Sequence, residues 1–190
     1  MILICGETAR GKDTFARYLM NTYGCQPVVS YATRPMRQGE TQGKEHYFIS
    51  KEKAHVLIEE LKAKNELVAY TKIGDIEYFA DLHELQTKDI YIIDPKGIEM
   101  LQQTHPELDY TTIYITTPDD VGRNRAFNRG DDAAKVEKRM EAEAEQFRYF
   151  LDYDYRYENT GTVEQLYQMA DDFYKYCIKH NNEKEEEMER

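Results

Sequence analysis

Met1-Ile2-Leu3-Ile4-Cys5-Gly6-Glu7-Thr8-Ala9-Arg10-Gly11-Lys12-Asp13-Thr14 opens the chain: an apolar run, two glycines bracketing four residues, then a lysine. An apolar run of this length reads as a buried strand, and the glycines turn it into a helix starting near Lys12. Such a turn points backbone N–H groups inward, adds the partial positive charge of a helix N-terminus, and brings up a lysine ammonium. Gly6 to Thr14 therefore reads as a phosphate cradle for a nucleoside triphosphate. The position after Lys12 is Asp13, where the usual pattern has Ser or Thr on Mg²⁺, and Thr14 comes one place late. Aspartate is a hard oxygen ligand suited to the same ion. The competing interpretation is an ordinary strand, turn and helix with no ligand.

Working outward, 190 residues suit one α/β domain with room for small insertions, and 41% apolar residues supply its core. Short apolar or β-branched runs at 1–5, 27–31, 89–93 and 111–116 predict parallel strands in a sheet of about five. Val136, Met140, Ala144, Phe147 and Leu151 predict a helix over 133–151, and Val163, Leu166, Ala170, Phe173 and Cys177 one over 161–179. The stretch 34–80 is different. It is Arg/Gly/Gln-rich, then has short strands near 46–49, 67–72 and 76–79 with a helix near 51–63, and reads as an insertion. Residues 181–190 read as an acidic, solvated or frayed tail.

A net charge of −11 with no basic cluster excludes nucleic acid and anionic membranes as expected partners. Cys5, Cys25 and Cys177 lack metal-ligand spacing, and there is no secretory or membrane-spanning run, so a reducing cytoplasm is expected. Oligomeric state is not legible.

Ser30-Tyr31-Ala32-Thr33-Arg34-Pro35-Met36-Arg37-Gln38-Gly39-Glu40, followed by Gly43 and Tyr47-Phe48, resembles the acceptor segment of guanylate kinases, S-x-x-T-R-x-x-R-x-G-E. Ile92-Ile93-Asp94-Pro95-Lys96-Gly97 is similar to the family's I-D-x-x-G strand end. Arg125-Ala126-Phe127-Asn128-Arg129-Gly130 resembles its lid, and so do Lys138-Arg139-Met140 and the late Tyr153-Asp154-Tyr155 through Asn159. The resemblance runs nearly end to end. It implies an α/β P-loop NTPase fold of three layers with a central parallel sheet, an inserted acceptor-binding subdomain at 34–80 and a helical lid at 119–140.

It also implies ATP-dependent phosphoryl transfer, with Mg²⁺, to a nucleoside monophosphate, GMP or dGMP by default. Transfer between two polyanions needs alignment and charge neutralisation. Lys12 is expected on the donor's terminal phosphates, Arg34 and Arg37 on the acceptor phosphate, and Arg129 and Arg139 closing onto the transferred group; guanidinium forks suit phosphate. Surface ion pairs are the other reading of each arginine. The resemblance further places Tyr78 on the acceptor phosphate, Ser30 on the acceptor base, and Arg125 and Asn159 about the donor adenine. His46 or Tyr47 takes the first tyrosine's place. Asp94 is expected to join Asp13 at the metal or to touch the acceptor, with capping of the next helix as the alternative.

The guanine reader is where the resemblance breaks. Ala69, Ala80 and Ile92 stand where the family has Glu, Ser and Asp, although Glu66, Asp75 or Glu77 offers a carboxylate nearby. Altered or relaxed base choice follows, and behind it two alternatives: a kinase of another phosphorylated small molecule, or a non-catalytic binding module.

Overall fold

The computed structural model describes residues 1–37 and 39–188. The opening run forms β1 (Ile2–Cys5), buried along its whole length. Its side chains alternate between two cores, Leu3 and Cys5 in one, Ile2 and Ile4 in the other. A strand covered on both faces must be apolar on both, which is why its sequence shows no polar alternation. β6 (Ile90–Ile92), β7 (Thr111–Thr116) and β8 (Tyr155–Glu158) complete a parallel sheet in the order β6-β1-β7-β8.

Helices cover both faces. On one side α1 (Lys12–Tyr23) lays Phe15, Ala16 and Leu19 against Leu166, Ala170, Phe173 and Cys177 of α7 (Val163–Met188). On the other, Ile98 and Leu101 of α4 (Pro95–Thr104) share a cluster with Phe147 of α6 (Ala133–Phe147) and with Phe150. Each fully buried Leu or Phe stabilises the fold by roughly 1.5–3 kcal/mol. The result is the expected three-layer α/β arrangement.

The insertion is a sheet of its own, ordered β3-β2-β5-β4, from β2 (Tyr31–Ala32), β3 (Tyr47–Phe48), β4 (Leu67–Ile73) and β5 (Ile76–Asp81). Ser50 caps α2 (Lys51–Ala63) by accepting from Lys53 N–H, and Ala54, Ile58 and Leu61 of that helix pack on Leu67 and Phe79. Val68, Ala69 and Ala80 join the same core as Tyr91 and Ile93, so the second sheet is seated directly on the first. Ala69 has φ +53 within a bulge of β4, between Val68 and Thr71. α3 (Leu82–Thr87) leads back to β6, and α5 (Asp119–Asn128) precedes α6.

Three expectations need correction. Residues 27–31 form no core strand; the segment bridges β6 only at Pro27 and Ile90, with Val28 N–H donating to the Ile90 carbonyl at 2.9 Å, and Tyr31 already belongs to the inserted sheet. The core sheet is therefore four-stranded, with β8 as the strand the periodicity missed. α6 stops at Phe147, which leaves Leu151 77% exposed while Phe150 takes the core position. The segment read as a tail continues α7 as far as Met188; Glu189 and Arg190 lie outside the described residues.

All three cysteines are buried free thiols, and no helix among the described residues is long and apolar enough to cross a membrane.

Candidate active site

The loop between β1 and α1 is held open by its backbone. Gly6 has φ +151, Ala9 +61 and Gly11 +102, a sequence of turns that gathers successive N–H groups into an anion-binding concavity. A side chain on Gly6 would put its Cβ 2.3 Å from the Ile115 carbonyl oxygen, and one on Gly11 would meet Asn159 Nδ2 at 2.5 Å. Asn159, 3% exposed, fastens the loop from behind by donating from Nδ2 to the Arg10 carbonyl at 2.8 Å. The Arg10 side chain turns away from the concavity. It is buried against Asp119, Glu7 and the Pro118 carbonyl, tying the loop to the start of α5.

Lys12 donates from Nζ to the Glu7 carbonyl at 2.7 Å, folding back over the loop. Burial lowers its pKa, an effect opposed by the charges of Asp13 and Glu143. Asp13 is exposed in the first turn of α1. Across the loop lies Glu143 of α6, which the sequence reading did not select. Its carboxylate accepts from Thr8 N–H, from Thr8 Oγ1 at 2.9 Å and from Arg139 Nε at 2.7 Å. Its sequence signal, an arginine and a glutamate four apart, reads as an ordinary surface pair on a helix.

Beside the loop is a depression of about 200 Å³ lined by Gly11, Thr14, Arg125, Asn159, Thr162 and Leu166. Arg125 is fixed there by the Thr117 hydroxyl at 3.4 Å and the Gly161 carbonyl at 3.3 Å.

The second group of residues sits on the inserted sheet. Arg34, 7% exposed, forks onto Glu40, with both bonds at 2.6 Å, and lies over the Phe48 ring. That fork holds the Glu40 carboxyl down at about 2. Among the described residues, Arg34 Nε is buried without a partner, a donor still to be satisfied. His46 Nδ1 lies 2.9 Å from Ser30 Oγ, and its ring is 5.7 Å from that of Tyr78. Burial lowers the His46 pKa, so the neutral ring is favoured. Tyr47, next along β3, packs instead on Tyr31 at 5.2 Å. Alternation along a strand thus separates the two candidates: His46 shares a side with Ser30 and Tyr78, whereas Tyr47 does not.

Asp94 caps α4, its Oδ1 accepting from Gly97 N–H at 2.8 Å and from Thr71 Oγ1 at 2.9 Å. Of the four cations expected to act in transfer, Lys12 and Arg139 lie together about Glu143. The others are apart: Arg129 pairs with Asp131, and Arg37 is exposed on the insertion.

The guanylate kinase family model matches residues 1–176. The chain belongs to the guanylate kinase family. The guanylate kinase of Lactiplantibacillus plantarum is 30% identical over 165 residues, covering 82% of this chain and 77% of its own. That of Symbiobacterium thermophilum is 32% identical over 164 residues, covering 82% and 75%. The crystal structure of the guanylate kinase from Anaplasma phagocytophilum shares the fold, with a TM-score of 0.66 at 19% identity over 93% of this chain and 84% of that one. Membership in this family makes the chain a nucleoside monophosphate kinase.

Proposed function

We propose that this family member moves the terminal phosphoryl group of ATP to GMP or dGMP, with weak discrimination among bases. The observation that carries the reading is the pairing of two anion sites. One is the backbone concavity of Gly6–Thr14 with Lys12, and the other is Arg34 on the inserted sheet, whose buried Nε has no partner among the described residues. Lys12 and the loop N–H groups hold the donor phosphates, while Arg34, Arg37, His46 and Tyr78 grip the acceptor phosphate. Arg125 and Asn159 border the donor base. Arg129 and Arg139 approach the transferred group when the lid closes, which also keeps water from taking the phosphate.

Bound magnesium would supply neutralisation of the donor phosphates' charge. Such an ion would need only one or two protein carboxylates. Asp13, an exposed hard-oxygen donor at the loop's end, fits that need. Asp94 supplies a second carboxylate, though its Oδ1 is already committed to capping α4.

The residues that the resemblance places at the acceptor base support the weak discrimination. Ala69 and Ala80 are fully packed in apolar core and offer a base no polar atom from their side chains. Glu77 is engaged by the Tyr70 hydroxyl at 2.7 Å. A missing charged hydrogen bond is worth roughly 1.5–3 kcal/mol, so the preference for guanine shrinks by about 10- to 100-fold. ADP formation from MgATP should be measured with GMP, dGMP, AMP, CMP, UMP and dTMP. Turnover is expected with GMP and dGMP, trailed by measurable rates on other bases; no turnover with any of the six would overturn the proposal.

A further inference from the structure

Glu143 is placed where a phosphate belongs. A carboxylate accepting from a loop N–H, from the adjacent hydroxyl and from an arginine uses donors of the kind that bind phosphoryl oxygens. The nearby Lys12 ammonium completes the match in charge. Glu143 is only 12% exposed although it lies on a helix face whose neighbour Arg139 is 50% exposed, so the contact is a seated one. Met140 and Val136, on the same helix, are buried with Ala126, and Ala9 of the loop packs against them. α6 is thereby set against the loop at this point.

We propose that Glu143 is a resident anion of the donor site, an internal competitor that the nucleotide's phosphates must displace. The proposal rests on the nucleotide reading of the loop. Without ATP, Glu143 satisfies Thr8 and neutralises Arg139, so the loop's donors are not left unpaired and the arginine is held in check. When the phosphates arrive, two anions cannot share one set of donors. Glu143 leaves Thr8, and Arg139, no longer matched to a carboxylate in that position, becomes available to the phosphoryl group. Arrival of the donor and release of the arginine are one event. Glu143 is a positioning residue in this scheme and touches no substrate.

The test compares wild type with Glu143→Gln, which keeps the shape and removes the charge. ATP dissociation constants, measured by calorimetry without acceptor, should tighten by roughly tenfold in the variant, while adenosine, which has no phosphate, should bind both proteins equally. ATP affinity unchanged or weakened in Glu143→Gln would overturn the proposal, as would equal tightening for adenosine. A second measurement needs no variant: a wild-type crystal structure with adenylyl imidodiphosphate. There the Thr8 N–H is expected on a phosphate oxygen, with the Glu143 carboxylate beyond hydrogen-bonding distance. Nucleotide bound with Glu143 still on Thr8 would remove this inference and leave the kinase reading intact. Failure of both proteins to bind ATP would remove the two together.

Discussion

Replacing Lys12 with methionine lowers kcat/KM for ATP-dependent transfer by about 10³-fold, the cost of removing one well-placed charge donor from a transferring phosphoryl group. The geometry makes this loss specific. Lys12 Nζ spends its only hydrogen bond among the described contacts on the Glu7 carbonyl, an interaction worth roughly 1 kcal/mol net. Methionine fills the same volume without the charge, and burial already works against that charge in the folded protein. The melting temperature of Lys12→Met should therefore stay close to wild type while transfer collapses. Steady-state assays alongside thermal unfolding check it. Activity within tenfold of wild type would mean that the ammonium is not on the donor phosphates.

Gly6→Ala has a large effect of another kind. The new Cβ falls 2.3 Å from the Ile115 carbonyl oxygen, in a backbone conformation, φ +151, that L side chains rarely adopt. Ile115 lies inside β7, whose neighbours on both sides hold it in register, so it cannot retreat cheaply. The loop must shift or the sheet must part. A destabilisation of about 3 kcal/mol is expected, lowering the melting temperature by roughly 6–12 °C in a chain of this size. ATP affinity falls with it, because the N–H groups lose their convergence. A folded, stable Gly6→Ala protein with wild-type ATP binding would show that the loop does not use this backbone shape.

Much of this arrangement is legible in the amino-acid sequence, for reasons that differ by element. β1 is readable because a strand buried on two faces has to be apolar throughout, and Gly6 and Gly11 are readable because their φ values exclude side chains. The α7 stripe is readable because Leu166, Ala170, Phe173 and Cys177 all face one cluster. β8 escapes notice for the opposite reason. It is an edge strand whose outward residues, Arg156 and Glu158, are exposed, and its pairing with β7 is a long-range fact. The stop of α6 at Phe147 is also invisible to a periodicity that Leu151 happens to extend.

The site divides in the same way. The loop and Arg34 announce themselves through local motifs. Glu143 does not, since its meaning comes from Thr8, far away in sequence, and Arg139 four residues before it gives an ordinary pairing. The different neighbours of His46 and Tyr47, Ser30 for the one and Tyr31 for the other, likewise depend on the strand's phase, which the sequence alone does not give. Arg10 is the converse case. It lies within the phosphate motif, yet its side chain serves the junction with Asp119.

Cations from separate stretches of a chain carrying −11 net charge are expected to come together around one pair of facing phosphates. The most direct test of that convergence is a crystal structure with a bisubstrate ligand, adenosine joined to guanosine through five phosphates. The expected result is a phosphate chain running from Lys12 and the Thr8 N–H to Arg34 and Arg37, with Arg129 and Arg139 drawn off Asp131 and Glu143 onto its middle. A ligand bound with Arg37 still in solvent, and with Arg129 and Arg139 still on their carboxylates, would contradict it.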